Sequence, residues 1–133
     1  MEMITIKNLS TLYVGTYKLT LKYNIRQYYE FRNVFITREE DDSGKGYLYA
    51  YGYYEMNYNI LWEISDKDVF AIYPIVPELK KKEEFITPEH YRKYIEEYKG
   101  KELLEVCVSN WPYDDRYVVD ANTGEIYSRM KSK

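Results

Sequence analysis

Between Tyr17 and Arg26 the chain alternates without a break: Tyr17, Leu19, Leu21, Tyr23 and Ile25 are separated by Lys18, Thr20, Lys22, Asn24 and Arg26. A period of two puts the apolar side chains on one side of an extended backbone and the polar ones on the other, the signature of a half-buried β-strand. Leu12 and Val14 fall on the opposite parity, so the spacing predicts a turn or bulge at Gly15-Thr16. Residues 29–38 and 47–56 read as a long hairpin around Glu39-Glu40-Asp41-Asp42 and Ser43-Gly44-Lys45-Gly46, an acidic loop with two glycines. Tyr58, Ile60, Trp62 and Ile64 give the next strand, and the apolar run 69–73 another, expected to stop at Pro74 and Pro77 because proline cannot donate to a sheet ladder.

A charged connector, residues 78–86, leads to the one helical pattern. Thr87 suits an N-cap, Pro88 the first helical position, and Gly100 the C-terminal stop. Tyr91, Tyr94, Ile95 and Tyr98 then make a stripe at helical spacing, with Ile86 placed to staple against Tyr91. Strands follow at residues 103–109, 116–120 and 125–130, the last two joined by Asp120-Ala121-Asn122-Thr123-Gly124. The expectation is an α+β fold, a mostly antiparallel β-sheet of about 7–9 strands with one α-helix near residues 88–99. At 133 residues the chain is read as a single domain, 1–133, with a strand-rich segment over residues 1–77, the connector 78–86, and a helix plus C-terminal strands over residues 87–130. The segment from Ile86 to Tyr127, with its Thr-Pro-Glu helix start and its closing Val119-Asp120-Ala121-Asn122-Thr123-Gly124-Glu125-Ile126, resembles the helix and final hairpin of PepSY-type domains. No function is carried over from that resemblance.

A net charge of −3, no long apolar run and no basic-then-apolar leader point to a soluble cytoplasmic protein, in the host cytoplasm if it is viral. Few Ala, one Gln and abundant Lys, Glu, Ile and Tyr suggest a virus or mobile element of a thermophile. One cysteine, Cys107, and one histidine, His90, exclude an intramolecular disulfide and a Cys/His zinc site. A Cys107–His90 dyad would need hydrogen-bond reach and an orienting third group, so Cys107 reads as a small hydrophobe and His90 as part of the helix start. The run from Asp120 to Glu125 lacks the helical flanks of a calcium loop and reads as a hairpin. Gly44-Lys45-Gly46 lacks the pattern of a phosphate loop, and the adjacent acid pairs 83–84, 96–97 and 114–115 point apart rather than across a cleft. No catalytic residue, metal site or cofactor is expected.

What stands out is 18 tyrosines, four of which, Tyr47, Tyr49, Tyr51 and Tyr53, share one face of one strand. In one reading these rings replace Phe in a thin sheet, with the hydroxyls reaching water or backbone. In the other they form a recognition surface, tyrosine giving large contact area at low entropic cost. The functional expectation is a non-catalytic protein-binding module, an accessory or inhibitor protein that uses Tyr47, Tyr49, Tyr51 and Tyr53 as anchors and Glu39, Glu40, Asp41 and Asp42 to engage a basic patch on its partner, such as a nucleic-acid-binding enzyme. The alternative is a single-stranded nucleic-acid binder that stacks bases on the tyrosines and tracks phosphates with Lys18, Lys22, Arg26, Arg32 and Arg38. No membrane partner is expected, and pairing of two copies through a sheet edge is a further expectation.

Overall fold

The computed structural model describes residues 4–8, 10–54 and 57–132. Among these, eleven strands make three antiparallel sheets accompanied by one α-helix, more strands than expected in an otherwise matching α+β class. β1 (Ile4–Asn8), β2 (Thr11–Val14) and β3 (Tyr17–Thr20) form an N-terminal sheet. β4 (Asn24–Glu30), β5 (Phe35–Glu40), β6 (Gly46–Tyr54) and β7 (Asn57–Ile64) form a central sheet in sequential order. β8 (Asp68–Ile75), β9 (Leu103–Asn110), β10 (Tyr113–Asp120) and β11 (Ile126–Ser132) form a C-terminal sheet in the order β11-β10-β9-β8, and α1 spans Pro88–Tyr98. Among the described residues no helix is long and apolar enough to cross a membrane.

The layering follows from strand parity. On β6, Leu48 and Ala50 point to one face of the central sheet and Tyr49 and Tyr51 to the other, so both faces are apolar and both are covered. Leu48, Ala50 and Ile36 pack against Val69, Ile72, Leu104, Val106 and Val108 of the C-terminal sheet. Tyr49, Tyr51 and Phe35 pack against Leu12 and Val14 of the N-terminal sheet, with Leu21 and Ile25 closing the cluster. β7 serves both cores because a bulge at Leu61 shifts its parity: Tyr58 and Ile60 face the N-terminal side, Trp62 and Ile64 the C-terminal side.

Three strand expectations are corrected. The alternating stretch 17–26 is two strands in two sheets, β3 and β4, broken at Leu21-Lys22-Tyr23, where the Leu21 amide bonds the Ser10 carbonyl and the Tyr23 amide bonds Glu39. Alternation survives the break because both pieces bury the same face in one core. Likewise 29–38 is interrupted by a tight turn closed by the Phe31 amide on the Val34 carbonyl. Pro74 does not end β8: it pairs with Leu104, and β8 is an edge strand where a missing donor is tolerated. The two-residue turn at Gly15-Thr16 is as expected, with Gly15 at φ 62° joining Val14 to Tyr17.

Helix α1 starts as expected, the Thr87 hydroxyl accepting from the His90 amide at 3.1 Å. Its staple is different. Ile86 is 93% exposed, and Phe85 instead packs on Tyr91 and Tyr94, with ring centroids 5.4 and 5.1 Å apart. No helix residue is fully buried, and Ile95 beside Lys82 and Pro88 is only half-buried. Ile95→Ala is therefore expected to cost about 1 kcal/mol in chemical denaturation, below the range of a fully buried isoleucine.

Candidate functional site

The middle of the tyrosine ladder, Tyr49 and Tyr51, lies inside the protein. Phe35, Thr37 and Glu39 share one face of β5 and stand opposite Tyr51, Tyr49 and Tyr47 on β6. Tyr49 and Tyr51 are buried, Tyr47 is half-buried under the stacked ring of Tyr23 at 4.4 Å, and Tyr53 alone of the four is exposed. Lys22 Nζ sits 5.5 Å from the Tyr49 ring. Burial pushes the Tyr49 phenol up to about 12, and that of Tyr51 is raised by burial and by Glu39.

The four acids do not act as one loop. Glu39 and Glu40 belong to β5, and Glu39 is fully buried. Its carboxylate accepts from the Tyr23 amide at 3.0 Å, the Tyr51 hydroxyl at 3.0 Å and the Thr37 hydroxyl, with the Lys22 amide adding to the set. Burial holds its carboxyl above the usual 4.5 despite these donors. Glu40 pairs with Arg26 at 2.9 Å and Arg38 at 3.8 Å. Asp41 ties the turn together by accepting from the Ser43 and Lys45 amides, the Ser43 hydroxyl and Tyr47, and these donors, Ser43 first, lower its carboxyl. Asp42 is exposed. The acidic loop is thus a folded turn, and two of the five proposed phosphate-tracking bases, Arg26 and Arg38, are held by Glu40.

Cys107 is buried on β9, where desolvation first and Glu105 second push its thiol up, away from the thiolate that nucleophilic chemistry requires. His90 Nδ1 lies 2.9 Å from the Thr87 hydroxyl at the exposed helix start. The Asp120 turn is a hairpin closed by its own side chain, which accepts from the Asn122 and Thr123 amides.

One open concavity, of about 320 Å³, lies at the acidic turn beside Lys22, Tyr23, Glu40, Asp41 and Asp42, and another lies between α1 and the outer face of the C-terminal sheet. A groove of about 410 Å³ is lined by Ile75, Phe85, Tyr94, Tyr98, Val118 and Met130, with Glu105 also at its wall, ion-paired to Arg116 at 3.5 Å. It exists because the helix meets the sheet through rings rather than through close backbone approach: Tyr94 contacts Tyr98, and Tyr98 meets Tyr127 of β11 edge-on at 5.7 Å. Lys101 Nζ covers Tyr127 at 4.6 Å, and the Tyr127 hydroxyl donates to Asp120. Burial raises the phenols of Tyr94 and Tyr98, and the Tyr98 hydroxyl is hydrogen-bonded to Glu97. Met130 at its rim is 58% exposed.

A second exposed feature is not legible in the strand patterning. Trp111, at the tip of the β9–β10 hairpin, is 94% exposed, and Tyr113 beside it is exposed as well. The only signal is a large aromatic residue inside a two-residue turn. Trp111→Ala is expected to change stability by no more than about 0.5 kcal/mol, since the ring packs on almost nothing; thermal melting checks this.

Compared with known proteins, the chain matches no protein-family model, no curated protein and no solved structure. The likeness of its C-terminal region to PepSY-type domains therefore stays a shared turn formula.

Proposed function

We propose that the chain is a non-catalytic protein-binding module whose contact surface is the outer side of the C-terminal sheet, with the groove beneath α1 at its centre. The observation that carries this reading is the groove itself: about 410 Å³, walled by Phe85, Tyr94 and Tyr98, with Met130 exposed at the rim. Aromatic and methionine side chains are the types enriched where proteins bury anchors of a partner, and a concavity of this kind accepts such an anchor. An accessory or inhibitor role in a virus or mobile element is consistent with the composition. Tyr49 and Tyr51 are interior, which supports the groove rather than the ladder as the contact surface.

Affinity capture from the source cells, run side by side with the parent and Met130→Glu, tests the proposal. The parent is expected to retain a specific protein that Met130→Glu, with unchanged melting temperature, releases. Retained material that is nuclease-sensitive nucleic acid, or retention indifferent to Met130→Glu, would overturn it.

A further inference from the structure

The edges of the sheets differ in how far they are closed. On β8, Gln27 bonds the Ile72 carbonyl through Nε2 at 3.0 Å and takes the Ile72 amide on Oε1 at 3.2 Å, so one side chain replaces a neighbouring strand. Further along, Asp68 accepts the Gly46 amide at 2.8 Å and joins that edge to the central sheet. β7 is interrupted at mid-length by its bulge at Leu61, a common way of blunting an edge. β11 is the outermost strand of the C-terminal sheet, and its bulge, at Tyr127, lies near its start. From Ser128 to Ser132 it runs regularly against β10, with Ser128, Arg129, Met130 and Lys131 opposite Val118, Tyr117, Arg116 and Asp115.

The side chains on that regular stretch say what can lie beside it. Arg129 and Lys131 share one face and are exposed, Arg129 lying over the Tyr117 ring at 5.2 Å. Asp115, across from Lys131, accepts from Asn110 on Oδ2 at 2.8 Å, and its Oδ1 is buried without a hydrogen-bond partner among the described residues, so the ladder places no ion pair on Lys131. Met130 points to the other face and lines the groove. A second copy of β11 added antiparallel about Met130 would set Arg129 against Lys131 twice, and about Arg129 it would set arginine against arginine. Like charges directly opposite one another disfavour both registers.

Building on the protein-binding reading, we propose that β11 accepts an extended partner segment as an added antiparallel strand, one whose acidic side chains lie opposite Arg129 and Lys131 and whose alternate apolar side chains lie beside Met130 at the mouth of the groove. Backbone hydrogen bonds along the edge supply affinity, and the alternation of acidic with apolar residues supplies specificity. The same parity that disfavours self-pairing selects this partner.

Two capped synthetic heptapeptides test the mode of binding, one alternating Glu with Val and Leu, its twin carrying Lys at every Glu position. Binding is followed by NMR of the full chain at physiological salt. The acidic peptide is expected to shift and slow the exchange of amides within residues 128–131, and to bind about tenfold more tightly than its twin. The doubly reversed variant, Arg129→Glu with Lys131→Glu, is expected to invert that preference, and Lys131→Glu alone to reduce it severalfold should the double variant unfold. Equal affinity for the twins, a preference that survives charge reversal, absence of binding, or shifts confined to β7 would overturn strand addition. If strand addition fails while Met130→Glu still abolishes capture of the partner, the protein-binding reading stands alone; if both results are negative, both fall.

Discussion

Gly46→Val is expected to be among the most damaging single substitutions in the protein, costing about 3 kcal/mol or more in urea denaturation. Gly46 opens β6 where that strand crosses β8, and a methyl group built on its Cα would run into the Val69 carbonyl oxygen and carbon. These are backbone atoms of a buried residue, so no rotamer change relieves the clash. The Gly46 amide also donates to Asp68 at 2.8 Å, and a shift that made room for the side chain would lose this bond. Gly46→Ala should show the same effect in smaller measure. A variant as stable as the parent would mean that the central and C-terminal sheets approach less closely at this crossing.

The second large effect is expected at Glu39. Glu39→Ala leaves the Tyr51 and Thr37 hydroxyls and the Tyr23 amide without their acceptor inside a closed core, and it opens a cavity as well. With each buried orphaned donor costing about 1–3 kcal/mol, a total loss of about 3 kcal/mol or more is expected. Glu39→Gln keeps an acceptor and should cost less. It also isolates a pH effect. Because burial holds the folded-state carboxyl above 4.5, the native protein binds this proton more tightly than the unfolded chain does. Stability from this group is fully present below pH 4.5 and falls as pH rises through its raised value. Asp41 and Glu78, whose carboxyls are lowered, contribute in the opposite sense, losing stability as pH falls. They are common to both proteins, so the parent should lose stability relative to Glu39→Gln as pH rises from 4.5. A difference independent of pH would contradict the buried, proton-binding carboxyl.

Glu39 also shows where sequence reading stops. Its neighbours Glu40, Asp41 and Asp42 make a run that reads as solvent-facing, since four adjacent acids are rarely placed indoors. Parity carries the opposite message: Phe35, Thr37 and Glu39 alternate onto the face that meets the tyrosines. The broken strand 17–26 is a related case, because alternation reports which face is buried but not which sheet buries it. Helix α1 is legible through its cap and stripe, as are the β5–β6 hairpin and the Asp120 turn, all local signals set by a few residues. The groove beneath α1 is not. It is made by Ile75, Tyr94, Val118 and Met130, residues distant in the chain that meet only through the order of strands in the C-terminal sheet.

Placing the contact surface on the outer side of the C-terminal sheet rather than on the tyrosine face is tested most directly by amide hydrogen exchange with and without the captured partner. Added protection is expected at residues 94–98, 116–118 and 126–131, around the groove and β11, with no change in the turn at 41–45. Protection centred on 41–45 and on Tyr53, with the groove unaffected, would contradict it and return the contact to the acidic turn and the exposed end of the tyrosine ladder.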